Sequence, residues 1–314
     1  MANKVKSSKS YFQLNKTEGS FNYRAPLIAI TIFSRDLISL KEEIAYLSGK
    51  NFDLIEIRGD YFIESFGKSL KDKDLAASDK SLKEKDKKFK EEYFFENDLG
   101  HYVALKTREF IYMIKETFKD KKIIFTLRSA KEGGFFNGDH RSYFRINRLA
   151  FLEDIDFIDI EYLRLKALKE KRIKDKPLDS SEDFERFSSI KSEKNKDKPE
   201  LIVSYHDLYK LLNKKEIIYL YKDMETYSPD LIKIVYKSEK NDDIYPMFYA
   251  SKLFKEKKTP YSLLNMGKLG YVSRYLAPAF GSSLVFAKGF KASAKGQVEI
   301  GKLNKFYKSF LDKT

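Results

Sequence analysis

The chain of 314 residues contains no cysteine. Disulfides, thiolate metal ligands and cysteine nucleophiles are therefore excluded. Histidine is scarce: His101, His140 and His206 are the three present, far apart and without the spacing of a ligand cluster, so no metal site is expected. No apolar run approaches the length of a membrane span, and the segment from Met1 to Pro26 lacks the apolar core of a signal peptide. A soluble cytoplasmic protein without a membrane partner is the expectation. No glycine-rich phosphate loop follows the first apolar run, which counts against a nucleotide-binding sheet.

Lysine is abundant. With 61 Lys and Arg against 47 Asp and Glu, the formal charge is +14. Opposite charges are interspersed along the chain and do not form an arginine-rich stripe, so a nucleic-acid partner is not expected. The sign favours anionic small-molecule substrates.

Eight short apolar runs alternate with helical patterns. They begin at Leu27, Phe52, Lys122, Asp156, Leu201, Leu231, Tyr261 and Ser282. Helices are expected at about 34–47, 105–118, 140–152, 208–226, 243–255 and 297–311, with Leu105, Ile111, Ile114 and Phe118 on one face of the second. This alternation predicts a parallel α/β architecture, most simply a closed (β/α)8 barrel, with an open doubly wound sheet as the alternative. Residues 1–25 read as a polar extension and 26–314 as a single catalytic domain. That domain carries two charged, low-complexity insertions, at about 64–98 and 167–199.

Side chains two apart on a strand share a face. On one face lie Glu56, Arg58 and Asp60 in the second run, Thr126 and Arg128 in the third, Asp159 and Glu161 in the fourth, Ser204 and His206 in the fifth, and Lys233 in the sixth. The opposite faces are mainly apolar. Helices outside a barrel require the apolar face, so the mixed faces point inward. Their polar members lie toward the C-terminal strand ends, where barrel enzymes place their sites, and deliver Glu56, Arg58, Arg128, Glu161, His206 and Lys233 to one mouth. Burial disfavours a charged ammonium, so an interior lysine is suited to act as an amine nucleophile, with a histidine nearby to move protons. Imine chemistry on a carbonyl substrate follows. Glu56 with Arg58 also reads as a plain internal ion pair.

The ordered set Glu56-Ile-Arg58 with Asp60, Phe125-Thr-Leu-Arg128 followed by Glu132-Gly-Gly134, Ser204-Tyr-His206, Ile232-Lys233-Ile, Met266-Gly267, Ser273-Arg274 and Ser293-Ala-Lys-Gly-Gln297 resembles type I 3-dehydroquinate dehydratase. The resemblance covers residues 26 to 314 apart from the insertions. It implies a TIM barrel, usually dimeric, that converts 3-dehydroquinate to 3-dehydroshikimate in the shikimate pathway. It also implies that Lys233 forms the imine, His206 serves as base and acid, and Glu132 orients His206. Glu56, Arg58, Arg128, Arg274, Ser293 and Gln297 would bind substrate, and neither metal nor organic cofactor would be needed. An interior lysine alone would equally suit a class I aldolase. A lapsed barrel that binds polyanions through its charged insertions is the reading from another class. The family loop carries proline where this chain has Lys295, which implies a looser loop and weaker substrate binding.

Overall fold

The computed structural model describes residues 25–65, 84–174, 199–254 and 257–311. Nearly all of the polar extension, and much of both insertions, lie outside the described residues.

Eight strands form one sheet: β1 (Leu27–Ile32), β2 (Leu54–Arg58), β3 (Lys122–Thr126), β4 (Phe157–Glu161), β5 (Glu200–Asp207), β6 (Leu231–Lys237), β7 (Tyr261–Met266) and β8 (Leu284–Ala287). Every pairing is parallel, and the order β7-β6-β5-β4-β3-β2-β1-β8 follows the sequence with β8 brought beside β1. A doubly wound sheet would reverse its order partway, so that alternative is overturned. Polar contacts draw β7 and β8 together: Ser283 N–H donates to Tyr261 O at 2.7 Å and Ser262 Oγ donates to Leu284 O at 2.7 Å. The fold is a nearly closed TIM barrel.

A repeated aspartate sets the lower rim. Asp53, Asp156 and Asp230 each precede an even-numbered strand, and each accepts a backbone N–H from the strand before it, those of Ile28, Ile123 and Leu201, at 2.8 Å. A donor left over where a strand begins is thereby satisfied.

The helices among the described residues include α1 (Leu37–Leu47), α2 (Glu84–Thr117), α3 (His140–Phe151), α4 (Tyr162–Lys174), α5 (Lys214–Glu225), α6 (Tyr245–Phe254), α7 (Gly270–Tyr275), α8 (Ala277–Phe280) and α9 (Ile300–Leu311). Asp36 and Asp139 cap α1 and α3 by accepting from Ser39 N and Ser142 N. Asn213 and Glu216 form a capping box that starts α5 at Lys214, six residues later than the periodicity predicts.

The largest departure from expectation is α2. It begins at Glu84, inside the first charged insertion, and runs 34 residues. Val103, Phe110, Ile111 and Ile114 form its buried face, whereas Leu105, assigned to that face from the sequence, is 51% exposed. The outward strand residues Ile55, Ile57, Phe125, Ile158, Ile160, Val203, Ile232 and Ile234 are all buried in the layer beneath the helices. Each full burial of such a side chain stabilises the fold by about 1.5–3 kcal/mol. The inward face is thereby left for polar chemistry.

Candidate active site

The site is assembled at the C-terminal ends of the strands around a cavity of about 500 Å³. All nine residues singled out as catalytic or substrate-binding border it: Glu56, Arg58, Arg128, Glu132, His206, Lys233, Arg274, Ser293 and Gln297.

Lys233 projects from β6 into the barrel and is 4% exposed. Its Nζ lies 3.1 Å from Asp159 Oδ2, 3.7 Å from Glu56 Oε1 and 3.9 Å from the centroid of the Phe286 ring. Two carboxylates and an aromatic face thus surround the amine.

Asp159 links this lysine to Arg128. Its Oδ1 accepts from Arg128 Nη2 at 2.9 Å and from Ser204 Oγ at 2.5 Å. Burial pushes the Asp159 carboxyl up, but Arg128 and Lys233 outweigh it and leave the group below the ordinary carboxylate value. Strand parity marks Asp159 as inward but does not single it out from Glu161, which lies nearer the strand end. Glu161 instead accepts Ser129 N–H at 2.7 Å, stands 3.4 Å from Arg128 Nη1, and does not border the cavity.

His206 and Glu132 form a second unit. Glu132 Oε2 is 2.9 Å from His206 Nδ1 and accepts the His206 backbone N–H at 3.1 Å. Burial lowers the His206 pKa well below the ordinary histidine value, and Arg128, Lys233 and Arg58 add to the effect. The imidazole is therefore neutral at pH 7. Burial pushes the Glu132 carboxyl up, with repulsion from Glu161 in the same direction. Gly134 permits the turn behind this pair, since a Cβ there would lie 2.1 Å from Arg128 O.

Glu56 and Arg58 do not form the simple ion pair that their spacing also allowed. Glu56 accepts from Thr31 Oγ1 at 2.7 Å and Thr126 Oγ1 at 2.8 Å. Arg58 makes two parallel bonds to Asp60, Nε to Oδ1 at 2.8 Å and Nη2 to Oδ2 at 2.7 Å. Asp60 lies just past the strand, in the helical segment 59–65, and also accepts the backbone N–H groups of Arg128 and Phe135. It is fully buried. Asp60→Ala is expected to destabilise the fold by about 3–5 kcal/mol, because it strands the buried Arg58 charge together with two amides. Urea denaturation checks this, and a loss under 1 kcal/mol (roughly what an exposed pair contributes) would refute it.

Arg274 on α7 reaches the seam between β7 and β8. Its Nη1 donates to Asn265 O at 2.8 Å and Gly270 O at 2.7 Å, and its Nε donates to Phe286 O at 3.0 Å. It has no carboxylate partner among the described residues, and burial lowers its pKa to about 10. A buried guanidinium satisfied only by carbonyls is a ready anion site.

The last loop closes the wall. Ser293 N–H donates to Gln297 Oε1 at 2.6 Å, Gln297 Nε2 donates to Ser293 Oγ at 2.8 Å, and Thr31 Oγ1 is 3.4 Å from Ser293 Oγ. Gly296 takes the left-handed region at φ +88, where a Cβ would lie 2.6 Å from Gly267 O, so only glycine lets the loop sit against the turn that follows β7. Phe286 is the contact that carried no sequence signal, being an apolar residue in an apolar strand.

Fold and site together define a barrel enzyme of the interior-lysine class, with a histidine–glutamate pair and a buried arginine bonded to backbone carbonyls. The pattern of the type I 3-dehydroquinase family matches residues 101–313, and the chain belongs to that family. The chain is 27% identical over 278 residues to a 3-dehydroquinate dehydratase of Alkaliphilus oremlandii, covering 88% of each. It is also 27% identical over 286 residues to that of Listeria monocytogenes, covering 90% of this chain and 92% of the relative. Among solved structures, the type I 3-dehydroquinate dehydratase of Clostridium difficile superposes with a TM-score of 0.67 at 21% identity, over 93% of this chain and 95% of that one. The matched family span contains seven of the nine site residues. Glu56 and Arg58 precede it.

Proposed function

We propose that this member of the type I 3-dehydroquinase family dehydrates 3-dehydroquinate to 3-dehydroshikimate through an imine on Lys233. What carries the proposal is the arrangement of one cavity: a lysine amine on its inner wall, a neutral histidine held by Glu132, and the buried, carboxylate-free guanidinium of Arg274.

The Lys233 amine adds to the C3 ketone, and loss of water gives the imine. Protonated, the imine draws electrons from the C2–H bond. Glu132 occupies Nδ1 of His206, which leaves Nε2 to take the C2 proton, and the lowered histidine pKa supports that role at neutral pH. The resulting enamine expels the C1 hydroxyl, which leaves as water with the proton returned by His206. Hydrolysis of the imine then frees the product and the amine. Lysine supplies the electron sink, so the proposal calls for no metal or organic cofactor.

Arg274 pairs with the substrate carboxylate. Glu56 and Arg58 meet ring hydroxyls. Arg128 holds Asp159 beside Lys233 and stands 3.4 Å from Glu132, which suits it to order the site as well as to meet substrate. Ser293 and Gln297 close the wall and exclude water. A homodimer and a cytoplasmic location complete the proposal. No helix among the described residues is long and apolar enough to cross a membrane.

Incubation with 3-dehydroquinate should produce enone absorbance and no aldehyde. Aldehyde release would favour the aldolase reading. Neither product, together with steeply salt-dependent polyanion binding, would favour a lapsed barrel.

A further inference from the structure

The inner face of β6 that carries Lys233 continues outward through Val235 to Lys237, and all three border the cavity. Four residues along a strand place Lys237 about 13 Å beyond Lys233, where the barrel opens. Its ladder partner on β7 is Met266. The next residue, Gly267, donates its N–H to Lys295 O at 3.2 Å, so Lys295 is tied to the same sector of the rim. The Lys295 side chain is exposed and has no carboxylate partner among the described residues.

Few negative groups face these lysines. Glu239 pairs with Lys237 at 2.9 Å, but the two side chains are 57% and 38% exposed, and exposed pairs exchange readily for other partners. The field of Lys268 acts on Glu239 as well. Asp243 is occupied by the backbone N–H groups of Glu239 and Lys240. The rim over β6 and β7 thus carries Lys237, Lys268 and Lys295 above the sector in which Arg274 binds β7. Glu239 borders the cavity too, so these three lysines outnumber it at this edge. An excess of one sign at a cleft concentrates the opposite ion and speeds its capture, and salt weakens the effect.

We propose that Lys237 and Lys295 form an outer anion subsite, which receives the carboxylate of the incoming substrate before it passes to Arg274. The proposal rests on the assignment of Arg274 as the carboxylate anchor. Lys237 stands far from the nucleophile and Lys295 lies exposed on the rim loop, so the two lysines govern capture and affinity and leave the chemical step alone. They are specificity residues and take no part in bond making.

Lys237→Gln and Lys295→Gln remove the charges without the backbone restriction that a proline at 295 would add. The double variant is expected to lose about tenfold in kcat/KM at low ionic strength with kcat unchanged, and its kcat/KM should be nearly flat as salt is raised. Arginine at both positions should restore the original values. Calorimetric titration with quinate, which bears the carboxylate but no ketone, reads the same subsite without turnover, and the double variant should bind it about tenfold more weakly at low ionic strength. Equal quinate affinities, a salt-independent kcat/KM in the original protein, or a loss confined to kcat would each overturn the proposal. Failure of the original protein to convert 3-dehydroquinate, with quinate affinity still dependent on the two lysines, would overturn the assigned reaction and leave the subsite standing.

Discussion

Lys233→Ala is expected to lower turnover of 3-dehydroquinate by on the order of 10⁴ or more, the scale on which removal of a covalent nucleophile acts. The protein should nonetheless stay folded. Asp159, the nearest partner of the lysine, keeps Arg128 at 2.9 Å and Ser204 at 2.5 Å, and Glu56 keeps its two threonines. Both carboxylates keep hydrogen-bond donors, in contrast to the Arg58 guanidinium in Asp60→Ala. Lys233→Arg should be equally inactive, since a guanidinium retains the charge but does not act as an amine nucleophile. Steady-state kinetics beside thermal denaturation separates these outcomes. A variant within about tenfold of the original turnover would show that the lysine serves only electrostatically.

His206→Asn is the second large effect, with an expected loss of about 10²–10⁴ in kcat. Imine formation should survive it, because the lysine and its carboxylate neighbours are untouched. The pH dependence follows from the direction of the histidine shift. A base must be unprotonated to act, and burial with Arg128, Lys233 and Arg58 nearby lowers the His206 pKa well below 6.5. The acid limb of kcat/KM should therefore fall below pH 6.5. A limb at or above that value would contradict the neutral buried imidazole. Stability should move the same way. The unfolded chain takes up the histidine proton near its ordinary pKa while the folded chain does not, so this group destabilises the fold as pH drops below 6.5.

Much of the site is legible in the residues because strands have a period of two. Glu56, Arg58, His206 and Lys233 share the inward parity of their strands, and an inward charge is too costly to be incidental. Arg128, two residues beyond the end of β3, keeps the parity of its strand. What parity does not settle is depth. Asp159 and Glu161 lie on the same face of β4, yet the deeper residue meets Lys233 while the outer one turns to a backbone amide. That choice depends on the stagger between neighbouring strands, which pairs Asp159 with Thr126 and Ile202.

Contacts between apolar and polar groups were hidden for another reason. Phe286 lies under Lys233 through its ring, and nothing in Leu-Val-Phe-Ala distinguishes a ring that meets a cation from one that meets a leucine. The start of α2 escaped because residues 84–98 are charged enough to resemble a solvated segment. Helix continuity there comes from joining a segment with a firm buried face at Val103, Phe110 and Ile114. Loop residues Ser293 and Gln297 were placed by resemblance, since no periodicity reaches an irregular loop.

The most direct test of the covalent mechanism is mass spectrometry of the protein after incubation with 3-dehydroquinate and borohydride. Reduction fixes an imine as a stable secondary amine. The mechanism predicts one adduct, mapped by peptide analysis to Lys233, present in His206→Asn and absent from Lys233→Ala. An adduct on another lysine, or enone formation with no adduct at all, would contradict it.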